Sequence, residues 1–237
     1  MTNHRRDRRL PVARRAFRLG ILATAALGTV GTAAGIAQAV SFGDGYSSDS
    51  SGVAVANNEA FALSNAGDQT SFKDSFTIHQ YGQVNAAYAR NVATAQSVAC
   101  SPDAPCRSVS LSFQIITMAG TDIHIDAVNL SNANNVHCAG CQTVAGAYQF
   151  VVDTPGAFKL STSAEKQLAA IHQQLNALRG SNLSVADVRA KADALAVQVA
   201  SILKNAAATA PQGPVLHPMT ASSMRPAVTV YRDFQQH

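Results

Sequence analysis

The chain has 237 residues, room for one domain or for a domain with appendages, and enough to bury a core without help from metals or disulfides. Its net charge of +4 would invite a nucleic-acid partner, but seven of the 18 basic residues (Arg5, Arg6, Arg8, Arg9, Arg14, Arg15 and Arg18) crowd the start, where Asp7 is the only acid before residue 40. The rest of the chain carries 11 basic against 13 acidic residues, so the charge balance gives no reason to expect nucleic acid as a partner.

In chain order, residues 1–39 read as a signal peptide. An Arg-rich opening precedes an uncharged Ala/Gly/Leu stretch, Leu19 to Ile36, and Ala37-Gln38-Ala39 is an AxA cleavage pattern, placing the cut after Ala39. Adjacent Arg14 and Arg15 with Phe17 match a twin-arginine signal, although Arg18 stands where that pattern prefers an apolar residue. Such a segment implies export, to the cell envelope or beyond it. A membrane association would come only through this segment left uncleaved, since roughly 20 uncharged residues can span a bilayer.

Residues 40–52 are rich in Gly, Ser and Asp and read as a flexible linker. The domain begins at Val53 with a β region over 53–158, poor in Pro and Lys, with turn-forming Asn, Gly and Ser clusters. Within it the chain repeats itself. "CRSVSLSFQIIT" (Cys106 to Thr117) and "CQTVAGAYQFVV" (Cys141 to Val152) align as C-[RQ]-[ST]-V-x-x-[SA]-[FY]-Q-[IF]-[IV], and Ser75-Phe76-Thr77-Ile78 is a fainter third copy. The anchors of the three copies are Phe76, Phe113 and Tyr148. Ala60-Phe61-Ala62-Leu63, Ala87-Tyr88-Ala89-Arg90 and Ala127-Val128-Asn129-Leu130 read as the strands that precede them.

Val109, Leu111, Phe113 and Ile115 alternate with Ser108, Ser110, Ser112 and Gln114, the period-two signature of a half-buried strand. By analogy Val144, Tyr148, Phe150 and Val152 share a buried face. Gln114 and Gln149 fall on the other side, pairing across strands or pointing to water.

Beyond Pro155-Gly156 the period becomes helical. Leu168, Ile171, Leu175 and Leu178 form one stripe, with Thr162 and Glu165 as a capping box and Gly180 as the stop. A second helix starts at Ser184, with Asp187 at its third position and Leu183 set to staple against Val188; its stripe runs through Val188, Ala192, Leu195, Val199 and Ile202. The expected αα-hairpin covers 159–205, and 206–237, with four prolines, reads as a mobile tail in which "AVTVY" could add an edge strand. The fold expected is therefore α+β: an antiparallel sheet of two or three strand-loop-strand units with a helical hairpin packed on it.

Cys100, Cys106, Cys138 and Cys141 are the four cysteines, one pair before each clear copy of the repeated strand. Even number and export favour disulfides, and equivalent positions in equivalent units favour Cys100 with Cys106 and Cys138 with Cys141. Chain entropy favours links between the units instead, by about 2 kcal/mol. Two other chemistries stay open. Cys138-Ala-Gly-Cys141 could be a redox CxxC, although such cysteines usually open a helix and here a strand comes next. The four thiols together could hold zinc, although the Ser101 to Pro105 spacing is wide for a knuckle. His79, His124, His137 and His172 form no paired motif: His137 adjoins Cys138, and alternation puts His124 on a solvent face. No catalytic motif, cofactor signature or close carboxylate pair better than Asp122 with Asp126 is present.

At "VAVANNEAFALSN", "DSFTIHQ", "CRSVSLSFQI" and "CQTVAGAYQFVV" the chain resembles a group of uncharacterised exported actinobacterial proteins. Similar Cys-flanked repeats also occur in proteins labelled peptide zinc metalloproteases. The resemblance spans about Val53 to Leu203. It implies an appendage-type exported domain, and the zinc-binding helix motif of the peptidases is absent. The expected function is a non-catalytic binding or structural domain with an unknown protein or envelope partner; a thiol-disulfide oxidoreductase and a zinc-stabilised accessory module of a peptidase system are the alternatives.

Overall fold

Alternating strands of 13 or 14 residues dominate the computed structural model, which describes residues 41–43, 52–210 and 226–237. All of these lie in one compact unit, Ala39–His237; the expected signal segment, its cleavage site and most of the linker lie outside the described residues. The elements are β1 (Ser41–Gly43), β2 (Val53–Asn65), β3 (Thr70–Gln83), β4 (Ala86–Val98), β5 (Arg107–Ala119), β6 (His124–Val136), β7 (Gln142–Thr154), α1 (Thr162–Ala177), α2 (Val185–Ala208) and β8 (Ala227–Gln236).

The strands form two sheets, β1-β3-β5-β7-β8 and β2-β4-β6, and every neighbouring pair is parallel except β7 with β8. This overturns the antiparallel sheet expected from the sequence. Each strand-loop-strand unit does not fold back beside itself; it crosses to the opposite sheet, so that like strands of successive units stack in the same direction. The result is a short solenoid of three coils: β2 with β3, β4 with β5, β6 with β7. The corners stack as the strands do: Asn85 donates to the Gly52 carbonyl (2.6 Å) and His124 to the Asn85 carbonyl (3.0 Å), while Val84 donates to Ala119 (2.8 Å) and Gly120 to Thr154 (3.0 Å).

In the larger sheet, Phe76, Phe113 and Tyr148 are register partners, as are Gln114 and Gln149. The three rings stack, with centroids 5.9 Å and 4.5 Å apart. In the smaller sheet the register differs from that read from the sequence: Ala87 stands beside Ala54 and Ile125, not beside Ala60 and Ala127. Ala-x-Ala recurs too often along these strands to fix their alignment. What fixes it is a ladder of Asn58, Asn91 and Asn129, side by side, the first two buried and the third half-buried. Asn58 Nδ2 donates to Asn91 Oδ1 (3.1 Å), Asn91 Nδ2 to Asn129 Oδ1 (2.8 Å), and Asn129 Nδ2 to the Ala147 carbonyl (2.9 Å).

Along one half of its length the space between the sheets is filled by small side chains, and along the other half by small side chains meeting large ones. Towards the cysteine end Ala60 and Ala62, with their β4 partners Ala93 and Ala95, face Ser108 and Ser110 of β5 and Ala145 and Ala147 of β7, whereas towards the other end Ala54 and Ala56, with Ala87 and Ala89, pack against the larger Tyr81, Ile116, Met118 and Val151. The serines are not solvated, as a half-buried strand would require. Ser108 and Ser110 donate to the Ala62 and Ala60 carbonyls at 2.9 and 2.8 Å, and Ser112 donates to Asn91 Oδ1 at 2.6 Å. Gln149 Nε2 donates to Gln114 Oε1 at 2.8 Å, so the two glutamines pair across strands, wholly buried. β5 and β7 are thus covered on both faces, one by the smaller sheet and one by the helices.

On the helical side, Val109, Leu111, Phe113, Ile115, Val144, Tyr148, Phe150 and Val152 pack with Leu168, Ile171 and Leu175 of α1 and Val188, Leu195 and Val199 of α2. Burying one such side chain fully is worth about 1.5–3 kcal/mol, which makes this the main apolar core. The N-cap of α1 is Ser161, whose Oγ accepts from Ala164 N (3.2 Å), so the expected capping residue Thr162 is the first helical residue instead. Ser184 caps α2 by accepting from Asp187 N (3.1 Å), and Leu183 and Val188 lie in the same apolar cluster. Arg107 ties the interhelical turn to β5, donating to the Ser181 and Leu183 carbonyls at 3.1 and 2.6 Å.

β8 closes the stack. The segment "AVTVY" lies within it, and it pairs antiparallel along β7 from Asp153 to Val144. Its side chains also blunt the neighbouring edge of the smaller sheet, because Asp233 Oδ2 accepts from Ser131 N (2.7 Å) and Gln235 Oε1 from Ala133 N (3.3 Å). Gly146 makes this docking possible: a Cβ there would lie 3.0 Å from the Phe234 ring and 3.1 Å from Leu111. Arg232 to Asp193 (3.1 Å) and Arg189 over the Phe234 ring (4.7 Å) fasten β8 to α2. Among the described residues no helix is long and apolar enough to cross a membrane.

Candidate functional sites: the cysteine end, a buried aspartate and the open sheet face

Three places gather chemistry, and the sequence indicated only the first. At one end of the solenoid the loops from β4 to β5 and from β6 to β7 lie one above the other. Each enters its first cysteine from a residue in the left-handed region, Ala99 (φ 56°) and His137 (φ 50°), and the loops are tied by Ala99 N donating to the Val136 carbonyl at 2.9 Å. The cysteines form the bridges Cys100–Cys106 and Cys138–Cys141, with Cα separations of 5.9 and 5.6 Å. Cys100, Cys106 and Cys141 are buried and Cys138 is half-buried. All four sulfurs lie within 4.8 Å of one another, and Cys141 Sγ accepts a hydrogen bond from Cys106 N at 3.1 Å. The corresponding loop of the first coil has no cysteine and is closed by Asn65, whose Oδ1 accepts from Gly67 N and Asp68 N.

The second place is Asp74 of β3. In the helix-facing row of the larger sheet it stands beside Leu111, with Gly146 next beyond, yet its side chain is fully buried. His172 Nε2 lies 3.1 Å from its Oδ2 and Arg179 approaches its Oδ1 at 3.4 Å. With the amide of Asn176 turned to suit its neighbours, its nitrogen donates to both carboxylate oxygens (3.1 and 3.2 Å) and its oxygen accepts from His172 (3.0 Å). The His172 ring stacks on Phe76 at 5.2 Å. A carboxylate at such a position is tolerable only when its lone pairs are fully engaged, and here they hold α1 to β3. Asp74 and His172 are 98 residues apart. The one signal in the sequence is Asp74 itself, interrupting the apolar row of Phe72, Phe76 and Ile78.

The third place is the outer face of the smaller sheet. Alternation turns Val55, Phe61, Leu63, Tyr88, Val128 and Leu130 outward, and these six account for most of the large hydrophobic residues exposed among the described residues. Phe61 and Tyr88 are each 48% exposed and Leu130 is 52% exposed. Val55, Tyr88, Arg90, Asp126 and Val128 line a shallow depression in this face. His124 is exposed at the start of β6, as alternation requires. His79 is half-buried; burial pulls its pKa below the usual histidine value against the opposing effect of a hydrogen bond to the Asn57 backbone. On the far side of the molecule burial, then the charge of Asp193 and a 2.9 Å bond to it, hold the Tyr148 hydroxyl far above the ordinary tyrosine range.

Comparison with family models, with curated proteins and with solved structures returns no match.

Proposed function

We propose that the protein is an exported, non-catalytic binding module whose working surface is the outer face of β2-β4-β6, presented by a scaffold that its two disulfides stiffen. The observation that carries this reading is the concentration of exposed Val55, Phe61, Leu63, Tyr88, Val128 and Leu130 on one face of one sheet, because exposed apolar residues gathered into a patch mark interaction surfaces whereas scattered ones do not. Three strands of 13 residues make a face of roughly 600 Å², short of the standard contribution of about 800 Å² per partner and suited to a transient complex. Tyr88 and Arg90, on its central strand, are of the types that dominate binding energies. With Glu59 and Asp126 against Arg90, the face is slightly acidic, which fits an envelope protein offering an apolar surface with a basic rim.

Site-specific crosslinking in the producing cell tests the reading. A photoreactive amino acid in place of Tyr88 should capture one defined envelope protein, and the same group in place of Val197, 69% exposed on α2, should not. Equal capture from both positions, or none from position 88, overturns it.

A further inference from the structure

We propose that the four sulfurs at the cysteine end are also a metal site: when both bridges are opened, Cys100, Cys106, Cys138 and Cys141 bind one zinc-class divalent ion as four thiolates. This end of the solenoid then has two closed states, bridged and metal-bound. The metal site stands apart from the binding face of β2-β4-β6, and neither depends on the other.

Geometry carries it. A tetrahedral tetrathiolate with metal–sulfur bonds of about 2.3 Å needs its sulfurs about 3.8 Å apart. All four Sγ atoms already lie within 4.8 Å of one another, so sulfurs of opposite loops need approach by no more than about 1 Å. Those of one loop separate by side-chain rotation once their bond is opened. The loops are held by features that do not depend on the bridges: the Ala99 to Val136 hydrogen bond and the parallel pairing of β4 with β6 and β5 with β7 immediately beside them. Cys106 N already donates to Cys141 Sγ at 3.1 Å, the type of backbone contact that stabilises sulfur carrying negative charge. Burial of three of the four cysteines limits competition from water.

The chemistry balances with a dithiol reductant. Each bridge accepts two electrons and two protons as a dithiol is oxidised to its disulfide, and two reductant molecules yield four thiols. Metal binding then releases four protons. A disulfide-class oxidant reverses the process, rebuilding both bridges and expelling the ion.

The test uses the purified full-length exported form, reduced with a phosphine under anaerobic conditions, freed of reductant and titrated with Zn²⁺ and, separately, Co²⁺. One ion per chain in native mass spectra, protection of all four cysteines from alkylation, and a tetrahedral cobalt spectrum with sulfur-to-metal charge transfer are expected. Cys141→Ser should weaken binding on the order of 100-fold or more, because losing a ligand exceeds the loss of a supporting contact. If the reduced chain loses its β signature, one equivalent of Zn²⁺ should restore it. Absence of binding, protection of only Cys138 and Cys141, or failure of zinc to restore a lost fold overturns the proposal.

Discussion

Ala99 and His137 show how a single residue's backbone can carry a cost that its side-chain contacts do not reveal. A left-handed conformation costs a residue with a Cβ about 1–2 kcal/mol, and both sit where a strand must turn into a bridged loop. Ala99→Gly should therefore stabilise the fold by about 0.5 kcal/mol in urea titration, the relief exceeding the added freedom of the unfolded chain. The same exchange at buried Ala62, inside β2, should destabilise it. Two partly buried ionisable groups impose opposite pH dependences. Burial raises the Asp153 carboxyl above its ordinary 3.8, against a hydrogen bond to the Thr154 backbone, and its Oδ1 has no partner. Its favourable contribution is present in acid, below the unfolded value, and is lost as pH rises through the folded one. Asp153→Asn should accordingly raise the melting temperature at pH 7, with an advantage that disappears below about pH 4. His79 behaves in the opposite sense. Its folded pKa lies below the unfolded 6.5, so stability is held above that value and lost as pH falls through it; His79→Gln should flatten this acid limb.

At the scale of elements, two ladders hold the coils in register. The Asn58-Asn91-Asn129 ladder works through amide hydrogen bonds inside the sandwich, where Asn91 also donates to the Ser112 and Tyr148 carbonyls at 3.2 and 3.1 Å. Asn91→Leu strands amides on both neighbours and should cost about 3 kcal/mol by chemical denaturation. Phe113→Ala and Tyr148→Ala, in the aromatic ladder under the helices, should each cost about 3 kcal/mol or more. The two ladders are unequally legible in the sequence. Phe113 and Tyr148 share a long motif with Cys and Gln at fixed offsets, so their equivalence is plain and the bridge pairing comes with it. Asn91 and Asn129 sit among Ala, Ser and further Asn, where composition repeats at every second position and no alignment stands out. The serines of β5 mislead for a related reason: a hydroxyl suits water and an internal carbonyl equally, and only the second sheet decides between them. Strand direction is hidden because alternation reports which face a side chain occupies and says nothing of whether the neighbouring strand runs the same way. The two residues between β3 and β4, Val84 and Asn85, would be enough for a hairpin, yet they make a corner between sheets.

The whole molecule is a stack whose ends require protection, since an unpaired strand edge is a template for further pairing. β1 lies along one edge of the larger sheet and β8 along the other, while Asp233 and Gln235 reach across to the last strand of the smaller one. A chain ending at residue 225 should leave β7 bare along its length, together with two unpartnered amides on β6. It should associate in sedimentation or light scattering at concentrations where the full chain is monodisperse; equal behaviour of the two chains would deny β8 this role.

The parallel stack also bears on size. A closed barrel admits only certain strand numbers, but coils that meet only their neighbours impose no such arithmetic. Length here is set by where the terminal strands fall. One more coil spliced between β5 and β6 would extend the body by about 4.8 Å and leave the outer strand edges unchanged, while the helical hairpin, tied to β3 through Asp74 and to β8 through Asp193, would have to span one strand more. The architecture is a ruler with discrete graduations, on which the reach of the open sheet face can be lengthened one strand at a time.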